Sequence, residues 1–224
     1  MSRARNLSRF KPSATGLVAN ANIASSAAIA KTKLAALDIV NADINASAAV
    51  AQSKMEALTG ANMPAGSVIQ TLSMTLTGAS SAQGNAYADT GLTLDITPTS
   101  TSSKILITGF VNIAENYFRS YIIVVRDSTT LAVGDAASNR PRVYSSSTTT
   151  NVWDTFDISP IPINLLDSPN TTSQVTYKIQ YKDYQGTSNS GSAIAYVNRS
   201  HGDRDTSIYD PRTVSVLTVQ EIKG

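Results

Sequence analysis

Hydrophobic positions along the chain recur with two different periods. Between Leu17 and Thr59 they follow a four-three spacing, and after Gly66 they alternate with polar residues. The first stretch also repeats itself at an offset of 21 residues: Asn20 to Ile23, Ala27 to Ala30 and Lys33-Leu34 correspond to Asn41 to Ile44, Ala48 to Ala51 and Lys54-Met55. That offset is three heptads, so a single seam passes through both copies. Its members are Ile23, Ala27, Ala30, Leu34, Leu37, Asn41, Ile44, Ala48, Ala51, Met55 and Leu58, and only Asn41 is polar. No Gly or Pro interrupts it. Such a stripe predicts helices that stack on copies of themselves, and so an oligomeric stalk. About 42 helical residues would span roughly 63 Å. Two other readings stay open. One is a single amphipathic helix lying on a globular body. The other is a segmented shaft broken near 41–45, because Asn41 and Asp43 are weak helix formers and good caps.

Residues 60–66 hold Gly60, Pro64 and Gly66 and predict a hinge. Beyond it the period is two. Val68, Leu72, Met74 and Leu76 alternate with polar residues, as do Leu92, Leu94 and Ile96, and Val175, Tyr177, Ile179 and Tyr181. These are half-buried antiparallel strands. Residues 105–113, 121–125 and 214–222 are apolar on both faces, which places them centrally or at a subunit interface. Shorter candidates lie at 152–158 and 193–197, and 131–144 is ambiguous. About nine short strands with Gly- and Pro-rich turns predict a mainly β fold, a jelly-roll-like antiparallel β-sandwich over 67–224. Residues 1–16, punctuated by Pro12 and Gly16, read as an extended arm before the stalk at 17–59.

Composition narrows the class. Only 15% of residues are charged, and the Glu are Glu56, Glu115 and Glu221 alone. This is the palette of an extracellular or virion β-protein. With no Cys, neither disulfides nor thiolate metal sites arise. No apolar run is long enough to span a membrane, and the basic start lacks the apolar core of a signal peptide. Charge is uneven: residues 1–37 carry six basic groups and no acid. Arg3, Arg5, Arg9 and Lys11, with Phe10 as the single aromatic, suit an acidic socket on a larger assembly better than nucleic acid.

One resemblance ties these parts together. The repeat from Asp43-Ile44 through Ser47-Ala48-Ala49-Val50-Ala51 to Ser53-Lys54-Met55 resembles the ADIxASAAIAxSKL units of tailed-bacteriophage (cyanophage-like) fibre proteins. The stretch from Gly91 to Pro98 and on to Lys104-Ile105-Leu106-Ile107 is similar to the first hairpin of their terminal domain. Val216 to Ile222 is similar to their last strand. The resemblance covers most of the chain. It implies a homotrimeric virion fibre, anchored by its N-terminal arm to a tail or capsid protein, presenting its C-terminal domain to a glycan or protein of the host surface. A capsid-attached head fibre or decoration protein is the alternative within this class.

Enzymatic signatures are sparse. His201 is the single histidine, and no Gly-x-Ser-x-Gly elbow occurs. Asp203 and Asp205 have spacing that oxygen-loving cations accept, but a locally ion-paired turn is the simpler expectation, and no metal or other cofactor is expected. Scattered acids leave a small polysaccharide depolymerase as the reading from another class, with Trp153 and Phe156 as sugar-stacking candidates. Alternating strand directions from Ser67 place loops 78–89, 114–118, 145–151 and 184–191 at the outer tip, if 131–144 is one outward strand. Loops 98–103, 127–130, 159–172 and 199–212 then fall at the inner end. The outer set offers Gln83, Asn85, Tyr87, Asn116, Tyr117, Tyr184, Gln185 and Asn189, neutral amides and phenols that suit sugar hydroxyls and ring faces.

Overall fold

The computed structural model describes residues 60–116, 119–147, 156–183, 193–205 and 208–224. The arm residues 3–11, the seam 23–58, Tyr117, Trp153, Tyr184, Gln185 and Asn189 lie outside the described residues. Within them the chain is mainly β and contains no α-helix, only a short 3-10 turn at Gly60–Asn62.

Among the described residues, eleven strands form two antiparallel sheets. In the first sheet, β1 (Val68–Leu76) pairs with β11 (Ser215–Ile222), which pairs with the first part of β4 (Lys104–Glu115). Further along β4, the same edge pairs with β10 (Ile194–Val197), and β10 pairs with β2 (Ser80–Gln83). The other edge of β4 pairs with β8 (Ser159–Asp167). The second sheet runs β3 (Ala88–Ile96), β9 (Val175–Asp183), β5 (Ser120–Arg126), β6 (Thr129–Leu131), with β7 (Ser145–Ser146) also on β5.

Alternation along each strand makes the sandwich. Ile105, Ile107, Val111 and Ile113 of β4 point inward, as do Leu217 and Val219 of β11 and Ile161 and Ile163 of β8. They meet Leu92, Ile96, Ile122, Val124, Val175, Tyr177, Ile179 and Tyr181 of the second sheet. Each such side chain contributes roughly 1.5–3 kcal/mol by leaving water. Gly109 sits where β11 comes closest: a Cβ there would lie 2.1 Å from the Val216 carbonyl oxygen, and its φ of +151° suits glycine.

Several expectations are corrected. Residues 91–98 and 104–107 do not form a hairpin. β3 belongs to the second sheet and β4 to the first, and 97–103 crosses between them. Two contacts explain the crossing: the buried Glu221 carboxylate accepts the Thr99 amide (2.7 Å) and the Thr99 hydroxyl (2.8 Å), and Gln70 Nε2 donates to the Thr97 carbonyl at 2.8 Å. The span 131–144 is no strand; after Leu131 the backbone leaves the sheet, with Ala132 at φ 47° and Ser138 at φ 52°. Residues 156–158 are not extended pairs either, and the strand lies just after them. Pro160 and Pro162 suggest a loop over 159–172, yet β8 accommodates them because its other edge makes no ladder among the described residues. Within the expected loop 78–89 lies β2, whose sequence Ser-Ser-Ala-Gln shows no apolar alternation.

The direction of the chain fixes two distinct ends. Gly66 N–H donates to the Lys223 carbonyl at 2.7 Å and Lys223 N–H to the Ser67 carbonyl at 2.8 Å, so entry and final strand share one end, here termed the junction end. Segments 97–103, 127–128 and 168–174 lie there too, and 84–87, Asn116, the start of β5, the end of β9 and the start of β10 lie at the far end. The segment 198–214 is corrected in kind. It is an excursion from mid-sheet, because β10 and β11 run in the same direction and both pair with β4.

Candidate interaction surface at the far end

Four of the outer-tip residues are described, and all four lie at the far end. Gln83 ends β2, opposite Ile194. Asn85 accepts a hydrogen bond from Lys182 Nζ at 3.0 Å. The same ammonium stands over the Tyr87 ring, 4.7 Å from its centroid, and 6.0 Å from that of Tyr121. Partial burial lowers the Lys182 pKa; it raises that of Tyr87, with Tyr121 adding to the effect. Asn85, Tyr87 and Lys182 therefore form one cluster with a cation, an aromatic face and an amide. Sequence reasoning misses Lys182, since it reads as an outward alternating residue of a strand; its place at the end of β9, beside 84–87, gives it this role.

Asn116 is differently employed. Its side-chain oxygen accepts the Ile194 N–H at 2.7 Å, and its own N–H donates to the Ile194 carbonyl at 3.2 Å. That side chain fastens the end of β4 to β10.

Beneath this end lie two buried carboxylates that periodicity does not single out. Glu115 accepts hydroxyl hydrogen bonds from Ser147 at 2.6 Å and Ser120 at 3.4 Å. Asp183, fully buried, stands opposite Ser120 in the β5–β9 register. Ser120 and Ser147 also exchange backbone contacts, the Ser147 N–H donating to the Ser120 carbonyl at 3.0 Å. Glu115 thus ties the end of β4 to Ser120 and Ser147 beneath this end. Both carboxylates sit at strand ends, where apolar alternation stops and leaves no signal.

Asp203 and Arg204 of the 201–205 cluster are held in ion pairs. Asp203 accepts from Arg199 through one oxygen and from Arg212 at 2.6 Å through the other. Asp210 accepts from Ser200 at 2.6 Å and from Arg204 at 2.8 Å. With guanidinium groups on both its oxygens, Asp203 offers no lone pair to a cation at low electrostatic cost. His201 stacks on Tyr196 at 5.5 Å, and its pKa is lowered by burial and by Arg199. Phe156 packs against Arg204 (4.5 Å) and Tyr209 (5.5 Å) in the same excursion. Among the described residues no group of three or more metal-ligating side chains occurs.

Compared by sequence, the chain matches no protein-family model and no curated protein. Solved structures of infectious bursal disease virus show a likeness in fold. The Gt strain structure is 13% identical over 70% of this chain, with a TM-score of 0.34. The T13 viral particle is 14% identical with a TM-score of 0.33, and the VP2 subviral particle 12% with 0.32. The chain spans about two-fifths of those proteins, 39%, 37% and 42% respectively. At these values the likeness goes no further than β-rich architecture.

Proposed function

We propose that this chain is a non-enzymatic structural fibre protein of a bacteriophage virion. Its arm (Arg3, Arg5, Arg9, Phe10, Lys11) docks on the particle, its seam associates copies into a trimeric stalk, and its jelly-roll-like β-domain projects for attachment to the host surface. The observation that carries this reading is the opposition of the two ends. The chain enters beside its own last strand, and Asn85, Tyr87 and Lys182 gather at the other end. A domain tethered by one end and recognising with the other needs that arrangement. The stalk repeat and the resemblance to fibre proteins supply the virion context. Neutral amides and phenols with one cation suit a glycan: they bond to hydroxyls and pack on ring faces with little desolvation of charge.

Electron microscopy of particles carrying tagged protein tests the reading. Label projecting from the tail is the expected result, label on the capsid would make it a head fibre, and absence from particles would refute the virion assignment. Removing residues 2–11 should leave a folded oligomer that no longer incorporates.

A further inference from the structure

The outward face of the first sheet is covered over only part of its height. Near the far end, Tyr196 pairs with Ala114, and both are buried because the 198–214 excursion lies over them. There His201 stacks on Tyr196 and the Arg199 guanidinium stands 4.3 Å from its ring. Toward the junction end the face continues in register as Val216–Phe110–Pro162, then Thr218–Thr108–Asn164, then Gln220–Leu106–Leu166. Val68 pairs with Ile222 at its margin. These side chains are half-buried or exposed, with Leu166 at 53% and Val68 at 46%. Four strands by four rows cover roughly 19 by 24 Å at the usual strand spacing and rise. A partly apolar patch of that extent falls in the size range of surface patches that are often functional.

We infer that this half-face, centred on Thr108, packs against a second copy of the same chain. The inference rests on the associating stalk proposed above, and two features favour that occupant. The rows contain no acid, and Lys104, beside Ile222, is their one base, so the face can be self-complementary but offers a charged partner nothing to match. Leu58, the last seam residue, precedes Val68 by only ten residues, at most about 35 Å of chain. Copies joined by the seam would hold their faces together at high effective concentration. Pro160 and Pro162 on the β8 edge disfavour strand addition there.

The chain has no cysteine, so Thr108→Cys introduces a unique thiol. In the full chain, a short bifunctional maleimide should join copies of Thr108→Cys covalently and leave Thr93→Cys, exposed on the second sheet, unjoined. Phe110→Lys should weaken association about tenfold or more, since the face would then bury a charge. An oligomer by sedimentation with no Thr108→Cys cross-link would overturn this inference and leave the stalk reading standing. A monomer with a freely reactive thiol would overturn both. A monomer with a shielded thiol would mean that residues 1–59 of the same chain cover the face, which also overturns it.

Discussion

Replacing Asn198 by Ala should destabilise the β-domain more than its position outside any strand suggests. Asn198 is fully buried with φ 60°, between β10 and the excursion. Its Nδ2 donates to the carbonyls of Leu76 at 2.8 Å and Gly78 at 3.0 Å, bridging the break between β1 and β2. Its Oδ1 accepts the Ser215 hydroxyl at 2.6 Å, where β11 begins. One amide therefore ties together both interrupted strand pairs. Three hydrogen bonds at about 1 kcal/mol each give roughly 3 kcal/mol. Placing Ala in the left-handed region adds about 1–2 kcal/mol. A loss near 4 kcal/mol is a large part of ordinary domain stability, about 5–15 kcal/mol. Urea unfolding followed by circular dichroism, at one fixed protein concentration, reads it directly. Asn198→Gly removes the same bonds but tolerates the backbone, so it should be more stable than Asn198→Ala by about 1 kcal/mol. An Ala variant within about 1 kcal/mol of wild type, or one more stable than Gly, would refute the reasoning.

Three further positions should respond in measurable ways. Burial works against the charge on Glu221, but the nearby Ser103 hydroxyl and the hydrogen bonds from Gln70 and Thr99 outweigh it, and its pKa is lowered. A depressed folded pKa gives stability above the unfolded carboxylate pKa that is lost as pH falls through the folded value. Wild type should therefore weaken below about pH 4.3, and Glu221→Gln should start less stable at neutral pH and respond less to acid in thermal melts. Gly109→Ala should cost about 3 kcal/mol or more, because the new methyl meets the Val216 carbonyl; a melting point unchanged from wild type would contradict this. Tyr87→Ala should impair binding to host cells in a pull-down while unfolding stays within about 1 kcal/mol of wild type, and undiminished binding would count against the far-end cluster.

Much of the sandwich is legible in the sequence because its strands have one wet face. Val175 to Tyr181 alternates strictly, and β9 keeps the odd-numbered residues buried at every step. Where an alternately buried strand is built from residues that read as turn or loop, the pattern misleads. β8 carries Pro at two outward positions, which read as turn chemistry, although a missing N–H does no harm on an edge. β2 has serines and an alanine because it needs only to cap the short β10 ladder. Strand direction tolerates the omission of β2. It continues in the direction of β1, since both lie antiparallel to strands that oppose β4, so the later ends are still correctly assigned without it. β11 is not so protected, and simple alternation has it running outward, whereas it returns to the junction end. The far-end cluster is half legible: Asn85 and Tyr87 are loop residues of suitable chemistry, but Lys182 and the carboxylates beneath depend on register.

The junction end and the outermost layer of the far end are held by different chemistry, and this bears on how each can change. At the junction end the sheets are fastened to each other by charge. Asp167 of β8 accepts from Arg126 of β5 at 2.6 Å and from the Tyr177 hydroxyl of β9 at 2.6 Å, and burial with that carboxylate raises the tyrosine pKa. Glu221 of β11 holds the 97–103 crossing in the same way. Such partly or fully buried charges are costly to leave unpaired, so a single substitution there disturbs both sheets at once. At the far end Lys182 contacts Tyr87 and Asn85 near solvent, where each contact is worth about 1 kcal/mol or less. Sequence can vary in that outer layer, above the buried Glu115 and Asp183, without loosening the frame. A surface that must follow a changing receptor belongs on that end, and the point where the chain enters belongs on the other.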